Sequence, residues 1–209
     1  DRARIVRDVE QGVAGWENIL GTLGAERIAL AHVAMPHAHL AGLTLAELGA
    51  AWGGDPLEAT LDLLLECALD VTMVLHYASD EAVRTIASHR LQLVGSDGIF
   101  GSRPHPRLYA TAPRFLGRFA LREGLLPVEE AIARLTARSA ARLGLTDRGR
   151  VEPGKRADLV LLDPSSYLDT ATYADPCRTP PGLEGVWIAG ERVWGGGRPT
   201  GARPGGVVR

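Results

Sequence analysis

The sequence predicts an α/β chain, and three observations carry that expectation. Apolar runs of strand length, IALAHVAM at 28 to 35, VTMVLHYA from Val71 and LQLV at 91 to 94, alternate with stretches of helical periodicity. The run from Val71 to Asp97 reads as strand, helix, strand, a unit that favours parallel strands joined by a right-handed crossover. Beyond Leu145 the helical spacing stops, and Gly149, Pro153 and Gly154 punctuate short apolar runs, so residues 146 to 209 read as an all-β segment.

Each element has a local reason. In DRARIVRDVEQGV, Ile5, Val6, Val9 and Val13 recur at helical spacing, and Gly12 and Gly15 bracket the end. His32 falls inside the first strand, where a satisfied core histidine is expected. Thr44 and Glu47 form a capping-box pattern for a helix running to about Ala51. Asp55 as N-cap and Pro56 at the first helical position open the next helix, with Leu57, Leu61, Leu64, Leu65 and Leu69 as its expected buried face. His76, near the end of its strand, is expected at a packed or rim position. Ser79 is placed to cap DEAVRTIASHR, and LYATAPRFLGRFALREG reads as helical with Pro113 at a helix start. Pro127 opens VEEAIARLTARSAARLGL, read as one helix with Ile132, Leu135, Ala140 and Leu143 on its apolar face and Gly144 as its stop. Leu159 to Leu162 is expected to be a buried strand. VWIAGERVW at 186 to 194 reads as a hairpin turning at Ala189-Gly190-Glu191.

The chemistry is expected in LQLVGSDGIFGSRPHPR, residues 91 to 107. Gly95 and Gly98 break the apolar run around Asp97, which places that carboxylate at a strand's C-terminal mouth, where α/β folds assemble their sites. A carboxylate there can bind a metal or shuttle a proton to a metal-activated water. The alternative is an ordinary Asp in a Gly-rich turn. Two prolines then hold the backbone of Pro104-His105-Pro106 and present Arg107 at a defined place, ten positions from Asp97. Its guanidinium fork suits a substrate carboxylate, and a surface salt bridge is the alternative role.

Composition sets outer limits. With 209 residues, 45% of them hydrophobic, and a net charge of −2, the expectation is a soluble globular chain of one large domain or two small ones, with neither nucleic acid nor a membrane surface as partner. The two cysteines, Cys67 in an apolar helical run and Cys177 beside Pro176, fit a reducing interior better than a disulfide framework. No apolar run reaches the ~18 residues of a membrane span, no signal-peptide pattern is present, and cytoplasm is the expected compartment. No glycine-rich phosphate loop or dinucleotide fingerprint interrupts the elements. The first residues fall within a helical pattern and begin with Asp1, so the expectation is part of a longer protein.

Taken in order, several blocks resemble the carboxyl-terminal part of the N-acyl-D-amino-acid deacylases, or D-aminoacylases, of the metal-dependent amidohydrolase superfamily. They are VGSDG at 94 to 98, RPHPRLY at 103 to 109, RFLGRF at 114 to 119 and EEAIARLTARSAARLGLTDRGRVEPGKRADLVLLDP at 129 to 164, followed by DTATYADP at 169 to 176, WIAGERVW at 187 to 194 and TGARPG at 200 to 205. The resemblance implies the last part of a TIM-type barrel with a helical lid-like segment over residues 1 to 145, and part of a small β-sandwich over 146 to 209. It implies Asp97 as the catalytic aspartate at the edge of the metal site and Arg107 as the arginine that holds the substrate carboxylate. The implied reaction hydrolyses N-acyl-D-amino acids to a carboxylate and a D-amino acid. It uses a zinc-activated water, and the main zinc ligands, histidines and a cysteine, are expected upstream of this chain. His37 and His39 lie in a loop some sixty residues before Asp97, not at the start of a barrel, and are expected to be surface or lid residues rather than that ligand pair. Two alternatives remain: a cyclic amidase of the hydantoinase or dihydroorotase kind, which shares the aspartate and the EPGKRADLVLLD-like segment, and a non-catalytic truncated remnant. RPHPR and TGARPG favour the deacylase. The oligomeric state and the preferred acyl group and side chain stay open.

Overall fold

The computed structural model describes residues 1–101 and 103–208 and divides into two compact units. The first comprises Asp1–Ser79, Gly98–His105 and Tyr173–Pro176; the second comprises Asp80–Asp97, Pro106–Thr172 and the residues from Cys177 on.

In the first unit, helix α1 (Arg2–Gln11) buries none of its residues and is tied by Arg2 to Glu58 and Asp62. A short helix α2 (Ile19–Leu23), capped by the Asn18 side chain, leads to strand β1 (Ile28–Val33). Thr44 and Glu47 form the reciprocal capping box at the start of α3 (Leu45–Ala51). Asp55 accepts from the amides of Leu57 and Glu58 at the start of α4 (Pro56–Glu66). These helices pack with β1 around Ile28, Leu30, Val33, Leu45, Leu48, Ala59, Leu63 and Cys67. The buried stripe of α4 is therefore Ala59, Leu63 and, just beyond its end, Cys67. Leu65 and Leu69 from the expected face are exposed: Leu65 lies off the buried i, i+4, i+8 row, and Leu69, at φ 66°, falls past the end of the helix.

Strand β1 pairs with β2 (Val71–Leu75) in antiparallel fashion, Ile28 opposite Leu75 and Val33 opposite Val71. A register shift between Leu30 and His32 explains why both Leu30 and Ala31 are buried: the extra residue moves the inward parity from even to odd positions. On its other edge β1 meets residues 42 to 44, through Leu30 N–H to Leu43 O (2.8 Å) and Gly42 N–H to Leu30 O (2.7 Å). His32 is half-buried, its Nε2 3.4 Å from Asp70.

The second unit begins with α5 (Asp80–Ser88). The strand expected at 91 to 94 is not formed: the residues from Gln92 to Phe100 carry no helix or strand, and the expected strand, helix, strand unit ending at Asp97 is corrected accordingly. A strand needs a ladder partner, and among the described residues none pairs with this segment. Its neighbourhood is instead organised by Arg134, 3% exposed, whose Nη1 donates to the carbonyls of Ala87 (2.9 Å) and His89 (2.8 Å) and so satisfies the end of α5.

Helix α6 (Arg107–Ala112) continues into a wider π-helical segment, Pro113–Arg122, at the proline that lacks an N–H. The region after Pro127 is two helices, α7 (Val128–Leu135) and α8 (Ala137–Arg142), broken at Thr136, rather than one. Ala131, Arg134 and Ala140 are buried while Ile132 and Leu143 are exposed, so the apolar face is rotated from the one expected. Gly144, at φ 72°, closes α8: its N–H reaches Ala141 O and that of Leu145 reaches Ala140 O, a Schellman ending. Phe115, Leu116, Phe119, Ala120, Leu126, Ala131 and Tyr167 form this unit's core. Burial pushes the Tyr167 hydroxyl pKa above its ordinary value. Asp169 is buried against Arg118 (2.8 Å) and Arg114 (3.3 Å), which supplies the partners a buried carboxylate requires.

The remaining residues build an antiparallel meander of β3 (Leu159–Leu162), β4 (Leu183–Ile188), β5 (Glu191–Gly195) and β6 (Arg198–Pro199). The expected hairpin is present: Ala189 and Gly190 take φ of 51° and 83°, as a type I′ turn requires. Strand β3 is not buried. It is the edge of the sheet, and Leu159, Val160 and Leu161 are exposed.

Candidate active site

Asp97 and Arg107, the two residues singled out from the sequence, come together in the second unit. Asp97 sits at φ 45°, in the left-handed region that Asp tolerates better than most residues, with its side chain 82% exposed. Arg107 is the first residue of α6, after Pro104 and Pro106, which are both buried. Its Nη2 lies 2.8 Å from Asp97 Oδ2. An ion pair this exposed contributes little to stability, about 1 kcal/mol at most. The pair sets an acceptor-only carboxylate beside a five-donor guanidinium, with the Asp97 carboxylate largely exposed.

A second group of polar rings lies in the first unit. The Tyr173 ring stands edge-on to His76, with centroids 4.6 Å apart, and to His105 at 5.2 Å. Its hydroxyl is 3.2 Å from His105 Nε2. The sequence predicts only a packed or rim position for His76 and gives no role to Tyr173. Tyr173 lies within DTATYADP, 68 residues after His105, and no local pattern in the chain announces their meeting. Away from this group, His37 pairs with Glu66 and stands edge-on to Trp52, while His39 is exposed.

The fit of a metal is decided by the donors. A catalytic zinc usually takes three protein ligands, and among the described residues no three His, Cys, Asp or Glu side chains gather to hold an ion. Asp97, the one contributor the sequence offered, is engaged with Arg107. The described residues thus do not make a metal site by themselves. Among them, no helix is long and apolar enough to cross a membrane.

Comparisons with known proteins concern the chain as a whole. Residues 8–194 match the model of the amidohydrolase family. The chain is 42% identical over 136 residues to an N-acyl-D-aspartate deacylase of Alcaligenes xylosoxydans xylosoxydans, covering 64% of this chain and 27% of that protein. It is 38% identical over 176 residues to an N-acyl-D-glutamate deacylase of the same organism, covering 83% and 35%. Among solved structures, the N-acyl-D-glutamate deacylase of Bordetella bronchiseptica, complexed with zinc and a phosphonate inhibitor that mimics the tetrahedral intermediate, superposes with a TM-score of 0.80 at 31% identity, over 99% of this chain and 45% of that one. The chain thus spans between about a quarter and a third of the length of these two curated relatives. On the family match, and with N-acyl-D-amino-acid deacylases as its homologues, the chain belongs to the amidohydrolase family.

Proposed function

We propose that the native protein containing these residues hydrolyses the amide bond of N-acyl-D-amino acids, releasing a carboxylate and a free D-amino acid. The observation that carries this reading is the 2.8 Å approach of Arg107 to Asp97. In an N-acyl amino acid the leaving nitrogen and the carboxylate carbon are both bonded to Cα, about 2.5 Å apart. The group that protonates the nitrogen and the group that holds the carboxylate must therefore be neighbours on the protein. Arg107 would take the substrate carboxylate in its planar fork. Asp97 would accept a proton from water as the oxygen adds to the acyl carbon, and return it to the nitrogen as the C–N bond breaks. The zinc that the family resemblance implies is proposed to draw its ligands from outside the described residues, and the two roles above do not depend on its geometry. A cytoplasmic setting, suggested by two cysteines that fit a reducing interior better than a disulfide framework, belongs to the same proposal.

A substrate panel tests this reading against the cyclic amidase. The native protein is expected to release amino acid from N-acetyl-D-glutamate, N-acetyl-D-aspartate or an N-acetyl derivative of an apolar D-amino acid, to leave the L-enantiomers largely intact, and not to open a hydantoin or dihydroorotate ring. Ring opening faster than N-acyl hydrolysis would move the protein to the cyclic amidases.

A further inference from the structure

A strap of chain just after β3 lies along the helical run that begins with Arg107, and both belong to the second unit. Three contacts give its course. Arg122, the last residue of the π-helical segment, donates through Nη2 to Ser165 O. Near the middle, the backbone of Tyr167 crosses Gly117: a Cβ added there would lie 2.4 Å from Tyr167 O, so only glycine lets the two main chains come this close. Nearest α6, Asp169 meets Arg118 at 2.8 Å and Arg114 at 3.3 Å. Residue numbers rise along the strap as they fall along the helix, so the strap runs antiparallel to it and towards its Arg107 end. Residues 167 to 172 form neither helix nor strand, and no ladder fixes them. Tyr167 enters the core with Phe115, Leu116 and Phe119, which accounts for the middle of the strap. Asp169 has no such account, since a carboxylate whose side chain is 6% exposed carries a desolvation cost that an apolar residue would not.

The geometry points to Asp169 as a positioning residue for Arg107 in substrate binding. A buried ion pair adds little net stability over apolar packing of the same volume, so what it supplies here is direction. One carboxylate that meets two guanidinium groups four residues apart fixes both the height and the rotation of the helix at that point, whereas apolar contacts are non-directional. The α6 helix passes into the π-helical segment at Pro113 without a break, so placement is transmitted along one hydrogen-bonded run. Arg107 lies seven positions before Arg114, about 10 Å along the axis at the usual helical rise. A slide or rotation of the run at Arg114 therefore re-aims the Arg107 fork. The inference rests on the role proposed above for Arg107 and adds a residue to it.

The test uses two substitutions in the native protein, each checked for folding by circular dichroism. Asp169→Asn keeps the shape and removes the charge that both arginines meet. Arg114→Gln is the milder change, because Arg114 is half-exposed and Arg118 stays with the carboxylate; it carries the same comparison should Asp169→Asn fail to fold. For an N-acyl-D-amino acid, Asp169→Asn is expected to raise KM by about 3- to 10-fold, the worth of roughly one hydrogen bond, with kcat changed less than about twofold. Arg114→Gln should raise KM in the same sense by less, and an N-acyl amine lacking the carboxylate should show no change with either. In an Arg107→Lys background, where the fork is already lost, Asp169→Asn should add less than about twofold, because two residues acting through one contact are not additive. Equal rises on both substrates, a fully additive loss in that background, or no rise in either variant overturns the assignment. Hydrogen exchange at the amides from Ala110 to Arg118 reads the hold without catalysis: it should quicken several-fold in Asp169→Asn, and unchanged rates overturn the strap. A native protein without deacylase activity would refute the proposed function, while the exchange measurement would still decide whether Asp169 holds this helix.

Discussion

Asp97→Asn in the native protein is expected to keep the fold and lose about 100- to 10,000-fold in kcat, the usual contribution of a positioned acid–base group. Asn is nearly isosteric and, like Asp, tolerates the left-handed backbone at φ 45°, so backbone strain is not introduced. The side chain is 82% exposed, so no packing is lost. What disappears is the ionic part of the exposed contact with Arg107 and, on the proposed role, the capacity to accept a proton from water and return it to the amine, since an amide oxygen is too weak a base. Steady-state rates on an N-acyl-D-amino acid, with thermal melts as the folding control, measure this. A kcat near that of the unsubstituted protein would remove Asp97 from the mechanism.

Arg107→Lys is expected to cost about 10- to 100-fold in kcat/KM on N-acyl-D-amino acids, the range for losing one strong charge-assisted hydrogen bond. Lysine retains the charge but not the planar fork, so the loss is one of bidentate geometry. It should fall mainly on KM, and N-acyl amines without the carboxylate should be affected little. The comparison of the two substrates separates this role from a structural one: Arg107 also opens α6 and pairs with Asp97, and disturbing either would slow both substrates alike.

Local signals in the sequence were reliable where the physics is local. The Thr44–Glu47 capping box, the Asp55-Pro56 start of α4 and the Ala189-Gly190 turn each depend on a few adjacent residues, and each is present. Burial was harder to read, because it depends on what faces an element. Leu65 satisfies helical periodicity yet lies off the buried row of α4, Leu69 falls past the helix end, and Leu159 to Leu161 form a strand that lies at a sheet edge. The segment 91 to 94 has strand composition without a ladder partner among the described residues. In α7, Arg134 is buried because the carbonyls of Ala87 and His89 need its donors, and hydrophobic patterning cannot anticipate a buried guanidinium. The same limit applies to the site. Asp97 and Arg107 could be nominated from glycines, prolines and side-chain chemistry, but their pairing and the approach of Tyr173 to His105 are tertiary facts.

The proposed function implies a division of labour: residues 1 to 209 would contribute the proton-transferring carboxylate and the carboxylate-binding guanidinium, and the metal ligands would come from elsewhere in the native protein. Metal analysis coupled to an amino-acid release assay, performed on residues 1 to 209 expressed and purified alone, tests it most directly. After equilibration with zinc and removal of free metal, the account predicts well under one zinc per chain and no release of amino acid from N-acyl-D-amino acids. One tightly held zinc per chain accompanied by turnover would contradict it.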